Sequence, residues 1–541
     1  MTSVPPEGVV NDENLELTAS NSKEEEKADP ESSRPSSDRN TRLDLENRRS
    51  SIQVLDWDGP RDPGNPYNWS FTQKMLVTGT ALLGTFLVPL NGTSMTVYTT
   101  PINREFGVSD ASFPNSYWPV TVWSAGGALF CIIFLPLMED LGVRMGYIIF
   151  YFFFILMIIA QAVAQSFATL IVTRFFSGGC VALLANTISS MIPDIWEGER
   201  PRAVFISLYV MFYLLGSTAG PAMFGDLRRH VHNNWRWIFY IELIIYGAFL
   251  PLGLVFIKET RKNVILRRRA KHLRATTSRP IYTAAELSAP PLASRLMTSM
   301  TRSAYLLISE PVLLASTLWS AFAFGTVFLF TQSTASVFDE IHHWSEAQIG
   351  FSQGAVAIGE FLGFFATLYS TRVYLQSASR NTENPGHPIP EARLYVSTAA
   401  SFIGIVGGMF VYAWTSYPHI HWIAPAIGLA MVGFGINVVV SAVTEYITDL
   451  YAASGYAGSA VSAVVAGENT VAAFLPLAAM SMYDTLGLQW ASTLLAFLAM
   501  LLSFAPLLFI WKGSWFRKRS PFMLAGAQKK DETTHSSLNE A

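Results

Sequence analysis

Four ionisable side chains stand inside stretches of sequence otherwise almost free of charge. They are Arg174 in TRFFSGGCVALLA, Glu242 in NWRWIFYIE, Glu360 in GAVAIGEFLGFF and Glu468 in AVVAGENTVAAF. Hydrocarbon disfavours the charged form of a carboxyl, so an acid held there is suited to taking up and releasing protons. A guanidinium in the same setting must face other helices or reach back to the interface. Glu468 and Glu360 lie nearest the middle of their stretches. Glu242 lies about two turns from one helix end, at a depth similar to Arg174, so these two are placed to pair. The alternative reading of each acid is a permanent bond to a neighbouring helix, with no part in proton movement.

The elements that must position these groups are membrane spans. Of 541 residues, 50% are hydrophobic and only 14% charged. The charges crowd into the first seventy residues, residues 258–310 and the C-terminal tail. Apolar windows of the length a hydrocarbon core demands predict spans over 75–97, 115–137, 146–166, 168–192, 203–225 and 236–257. A second set falls over 311–335, 348–370, 396–415, 422–446, 457–482 and 489–511. Six spans, a linker and six spans suggest duplication. The expected domains are a disordered N-terminal segment (1–70), a first six-helix bundle (71–257), a basic central loop (258–310), a second bundle (311–511) and a tail (512–541).

Lys and Arg collect in the central loop, in KGSWFRKRS and in parts of 371–395, which places those segments and both termini in the cytosol. Arg228 and Arg229 are exceptions on the other side. In this topology the sequons at Asn68 and Asn91 are chance matches, since one is cytosolic and one lies within the first span. RRSS at 48–51 reads as a solvated charge run, with a basic-directed kinase site as the alternative. The two cysteines, Cys131 and Cys180, both fall in apolar stretches and read as small buried hydrophobes. Segregated charge of both signs gives no surface for nucleic acid.

Three segments in the first half carry more than hydropathy. LPLMEDLGVRM joins spans 2 and 3 by a tight turn in which Glu139, Asp140 and Arg144 bracket Gly142, an arrangement suited to a gate. In span 4, Arg174 is followed by Gly178 and Ala182 at a spacing that lets another helix approach. In span 5, GSTAGPAMFG sets Gly216 and Gly220 on one face, then Pro221, which removes a backbone donor and bends the helix, then Gly225. A plain structural kink is the competing reading of this last stretch.

Together these segments resemble the major facilitator superfamily: its turn motif between spans 2 and 3, its span 4 Arg-Gly motif and its span 5 antiporter motif. DPGNPYNWS, NWRWIFYIE, KETR, PEARL and RKRSPF are similar to segments of fungal twelve-span drug:proton antiporters. The resemblance runs from about residue 60 to 525 and implies an all-α membrane fold of two six-helix bundles. Departures stand at Leu135, Glu139 and Asp140 in the turn, Ser177 in span 4, Phe224 in span 5 and Glu468 in span 11, near where many relatives have an arginine.

The resemblance implies alternating access about a midplane site, with protons entering as a drug, polyamine or secondary metabolite leaves. Glu468 first, and then Glu360, are expected to carry coupling, with Glu242 and Arg174 as further candidates. An exporter of an organic acid such as itaconate is the alternative, and it needs Arg174 to face the cavity. A transporter-like nutrient sensor is a lesser one, whose mark would be a long structured tail. Catalytic constellations and ATP-binding loops are missing from the sequence, so an enzyme is not expected. His342, His343, His419 and His421 have no metal-ligand spacing, and neither metal nor cofactor is expected. Glu445 and Asp449 read as a cytosolic interface or gate. Tyr98, Trp118, Trp123, Tyr209, Tyr213, Trp319 and Phe330 are candidates for a pocket lining or for lipid-facing belts. The expected setting is a multi-pass monomer in the plasma membrane, with the vacuolar membrane as the other option.

Overall fold

The computed structural model describes residues 53–110, 115–231, 234–277, 279–288, 292–383, 385–452 and 454–523. Among these residues, twelve helices are long and apolar enough to cross a membrane. In the first half, spans 1 to 6 run over Phe71–Phe106, Asn115–Leu135, Val143–Ala162, Phe167–Ile195, Glu199–Phe224 and Arg236–Phe256. In the second, spans 7 to 12 run over Pro311–Asp339, Gln348–Arg380, Pro390–Thr415, Ile423–Ala452, Ala457–Ala478 and Ser481–Arg519. Helical geometry breaks near the start of span 12 at Gly487, whose φ of 73° suits a residue without Cβ.

The halves repeat one packing plan. Span 2 lies on span 4 as span 8 lies on span 10, and span 3 on span 6 as span 9 on span 12. Small residues explain the closeness. A Cβ at Gly126 or Gly178 would strike the backbone of the facing helix in the first half, and one at Gly359 or Gly433 would do so in the second. Both pairs stand at corresponding places in the two halves.

Span 1 is not one helix. It runs over Phe71–Leu87, restarts after Pro89 as a turn over Leu90–Thr93, tightens to a 3-10 turn over Ser94–Tyr98 and resumes over Thr99–Phe106. Proline cannot continue the hydrogen-bond ladder. Irregular backbone of this kind at membrane depth has to be satisfied by other groups of the protein.

Residues 1–52 lie outside the described residues. Residues 53–70, expected to be disordered, are instead built into the structure. Strand β1 (Gln53–Leu55) pairs in parallel with β2 (Ile281–Thr283) of the central loop, with Val54 opposite Tyr282. The loop also forms helices α1 (Lys262–Thr277), α2 (Ala284–Ser288) and α3 (Leu292–Ser309). Asp62 explains the ordering. Its buried carboxylate accepts from the backbone of Asp58 (2.9 Å) and Gly64 (2.7 Å) and meets Arg269 of α1 at 2.8 Å. Asp58 also pairs with Arg269, and Asp56 meets Lys262 at 2.8 Å.

Backbone donors first, and Arg269 in addition, hold the Asp62 carboxyl below its ordinary value. A depressed carboxyl contributes stability above its unfolded value of about 4, lost as pH falls through the lower native value. A spin label at Val54 should therefore be ordered at neutral pH and gain mobility below about pH 4. Asp62→Asn should show that mobility at neutral pH.

Candidate functional site

The break in span 1 gathers the first polar cluster. Arg174, fully buried, donates one NH2 group to the carbonyl of Asn91 and the other to that of Gly92 (3.1 Å). Both carbonyls lie where span 1 passes from its short α-turn to the 3-10 turn. Glu242, equally buried, accepts from Asn91 Nδ2 at 2.8 Å and from Ser94 Oγ at 2.6 Å. Asn91 Oδ1 in turn accepts from Trp123 Nε1 (3.1 Å) and Ser177 Oγ (3.2 Å), and Gln161 donates to Ser177 at 2.9 Å. Arg174 thus faces the bundle interior, as one sequence reading had it.

The expected Arg174–Glu242 pair is not formed. Both side chains grip the same broken segment from different sides, each with hydrogen-bond partners supplied by it. Asn91, Ser94 and Gln161 were missed. The signal was present in VPLNGTS, where a proline precedes an amide and a glycine inside an apolar run.

Span 5 lies between this break and the second half. Pro221 has no N–H to offer the carbonyl of Ser217, and Thr93 Oγ1 of span 1 donates to that carbonyl at 2.6 Å. A Cβ at Gly220 would lie 2.8 Å from Ser94 N and 3.1 Å from Leu90 O, and one at Gly216 would strike the Phe86 carbonyl. Span 8 packs on the opposite side, where a Cβ at Gly350 would strike the Pro221 carbonyl and reach 3.4 Å from the Cα of Gly225. Gly216 and Gly220 serve one neighbour, Pro221 and Gly225 the other, and Phe224 is buried.

Glu360 and Glu468 sit away from the first cluster. Glu360 Oε2 accepts from Thr218 Oγ1 of span 5 at 2.8 Å, a bond between the two halves. Glu468 accepts from Ser320 Oγ of span 7 and lines a small pocket between the halves with Asn186, Tyr209, Tyr213, Phe324 and Asn469. Tyr213 and Phe324 stack across the halves with ring centroids 5.8 Å apart. Asn186, Ser189, Thr444 and Val461 also line a wider pocket that continues toward the central loop, with Arg261 at its rim. Arg261 is paired there with Asp194 at 3.4 Å. A separate pocket lies toward the opposite face, lined by Thr100, Tyr117, Gln332, Asp339 and Gln353 among others. Between the two, Tyr117 of span 2 donates to the Phe328 carbonyl of span 7 at 3.0 Å, and Trp123 lies 6.0 Å from Phe328.

Among the charge clusters on the face that carries the central loop, two involve candidate gating residues. Glu259 of KETR accepts from the backbone of Val143 (3.1 Å), just past Gly142 (φ 91°), while Arg144 donates to the Leu254 carbonyl at 3.3 Å. Glu139 and Asp140 end the span 2 helix, and their side chains fall outside the described part. In the second cluster Arg393 pairs with Glu445, with Asp449 (2.5 Å) and with Glu199 of the first half (3.9 Å), and Arg202 reaches Asp449 at 3.7 Å. Glu445 and Asp449 therefore join the halves through span 5. Arg393, within PEARL, is the cation that sequence reading had not singled out.

Comparison with known proteins gives this geometry its context. A family model described as Major Facilitator Superfamily matches residues 81–465. The MFS transporter cpaT of Aspergillus oryzae is 31% identical over 483 residues, which cover 88% of this chain and 94% of that protein. The efflux pump radE of Floropilus chiversii is 28% identical, covering 89% of this chain and 88% of its own. The multidrug transporter mdrA of Aspergillus fumigatus is 28% identical, covering 85% and 74%. Among solved structures, the proton:xylose symporter XylE aligns with TM-score 0.56 at 15% identity over 82% of this chain and 96% of its own. The human organic anion transporter MFSD10 aligns with TM-score 0.53 at 16% identity, covering 80% and 99%.

Proposed function

The chain belongs to the major facilitator superfamily, and from that premise we propose that it is a proton-coupled antiporter exporting a neutral or cationic small organic molecule. It is a multi-pass membrane protein of a family that moves small molecules. The direction, the coupling ion and the substrate are the proposed parts. Relatives named as an efflux pump and a multidrug transporter favour export. In this reading the basic face is cytosolic, both termini with it, and the monomer works in the plasma membrane. The domain limits are the two bundles on either side of the 258–310 loop.

One observation carries the substrate class: among the described residues, the pocket between the halves is lined by the Glu468 carboxyl and by no Lys or Arg. Arg174 spends its NH2 groups on the carbonyls of the span 1 break, and Arg261 at the rim is paired with Asp194. An organic acid would meet a carboxyl with no cation to offset it. A carboxyl beside the faces of Tyr213 and Phe324 suits a cation or a neutral hydrogen-bond donor joined to a flat apolar body. Alternation is assigned to the bundles rocking about this pocket. The Arg393 cluster closes the cytosolic face on the span 5 side, and the Glu139, Asp140 and Arg144 turn closes it beside span 11.

Proteoliposomes with an imposed pH gradient test the reading. A lipophilic cationic dye should move against the proton flow, with transport lost when a protonophore collapses the gradient. Itaconate should not move. Gradient-driven itaconate flux with no dye flux would overturn the assignment in favour of the organic-acid exporter.

A further inference from the structure

Within the span 5 motif, among the described residues, one side chain is hydrogen-bonded to an ionisable group: Thr218, to Glu360 of the other half. The glycines and proline around it account for shape alone. Both residues are fully buried, Thr218 at 1% and Glu360 at 0% exposure. Glu360 Oε1 has no partner among the described residues, so Thr218 alone orients the carboxyl. The contact sits on a seam where the Pro221 carbonyl and the Gly225 Cα abut Gly350, with little room for either helix to slide independently.

The charged groups on the elements packed against span 8 lie toward the ends of those elements. Span 5 carries Glu199, Arg200 and Arg202 near its cytosolic start, and span 7 carries Asp339 near its outer end. Span 9 brings Glu391 and Arg393, span 10 brings Glu445 and Asp449, and span 8 itself has Arg372 and Arg380, all toward the cytosolic end. The neighbouring turn of span 1, Ser94–Tyr98, has no charged residue. None of these groups forms an ion pair with Glu360. A carboxylate accepts strongly from a hydroxyl, and its neutral form accepts more weakly, so a single hydrogen bond can register the charge.

We propose that Thr218 is a positioning residue for Glu360: its hydroxyl ties the carboxyl of the second half to span 5, so the span 5–span 8 seam responds to protonation. This rests on the antiporter reading above, in which Glu360 is a coupling residue. When Glu360 is charged the bond holds the seam closed. When it takes a proton the bond weakens and the seam loosens, while Gly350, Pro221 and Gly225 set the surface along which the helices part.

The test needs no substrate. Met223 on span 5 and Phe351 on span 8 are exposed (50% and 58%), so each can carry a spin label at the lipid-facing edge of the seam. Labels are placed through Met223→Cys and Phe351→Cys, with Cys131 and Cys180 replaced by alanine, in lipid nanodiscs. The label distance is then measured from pH 5 to pH 9 by pulsed electron resonance, with a change of about 2 Å or more expected. Thr218→Val, which keeps shape and removes the hydroxyl, should abolish the change, and Thr218→Ser should restore it. Glu360→Gln should abolish it as well. A change that survives Thr218→Val but not Glu360→Gln overturns the role of Thr218 and leaves Glu360 as the sensor. A change that survives both variants removes Glu360 from the coupling reading too, and a distance constant with pH in the unmodified seam overturns the proposal outright.

Discussion

Replacing Glu468 by Gln should abolish gradient-driven export while the protein still folds and inserts. Glutamine keeps the volume and the carbonyl oxygen that accepts from Ser320, so the contact between spans 7 and 11 survives. It cannot bind or release a proton at any accessible pH. Surroundings decide why this position matters more than Glu242. Glu242 is enclosed by hydrogen bonds from Asn91 and Ser94 within its own half, whereas Glu468 lines a pocket shared by both halves. A group that must meet substrate and proton in turn has to be reachable from a cavity. In proteoliposomes, accumulation of a cationic dye driven by a pH gradient should fall to the level of empty vesicles. Exchange of a neutral substrate down its own gradient should persist, because the pocket walls of Tyr209, Tyr213 and Phe324 are intact. Undiminished gradient-driven transport by the variant would remove Glu468 from the coupling step.

Depth was legible in the sequence, and partners were not. Hydropathy located twelve spans and set Arg174, Glu242, Glu360 and Glu468 within them, because an ionisable residue in an apolar run is conspicuous. A window average says nothing about azimuth, and Arg174 and Glu242 were paired on depth alone. The structure separates them because Arg174 is bonded to the Asn91 and Gly92 carbonyls in the interrupted stretch of span 1, a demand that hydropathy does not register. Thr218 was hidden for a related reason. Threonine is ordinary in a membrane helix, and its value here comes from a carboxyl 142 residues later in the chain. The β1–β2 pair was equally invisible, since three-residue strands carry no periodic signal. The antiporter-like stretch of span 5 was recognised as a soft helix, but which neighbour each glycine admits could be read only from packing.

That packing leads to the second large effect. Gly220→Leu should inactivate the carrier, and Gly220→Ala should impair it in proportion to the smaller intrusion. The atoms in the way are the Thr93 hydroxyl, nearest of all, and behind it the backbone atoms Ser94 N and Leu90 O, at 2.8 Å and 3.1 Å from even a first added carbon. Flexible side chains could swing aside, but this backbone is fixed by Arg174 on Asn91 and Gly92, by Glu242 on Ser94 and by Thr93 on the Ser217 carbonyl. Overpacking of this kind costs about 1–3 kcal/mol, occasionally more. A membrane helix keeps its own hydrogen bonds regardless, so the expected response is displacement of span 5 rather than unfolding. Displacement away from span 1 pushes span 5 toward span 8, where the Pro221 carbonyl already abuts Gly350, and the bundle has no slack to absorb it. Gly220→Leu should therefore elute as a monodisperse species of unchanged size, with export reduced at least about tenfold, a loss equivalent to roughly 1.4 kcal/mol on the rate-limiting rearrangement. Gly247, whose added Cβ would meet nothing within 4 Å, supplies the control: Gly247→Leu should export normally. Normal export by Gly220→Leu would reduce the motif to a bend without a part in the transport cycle.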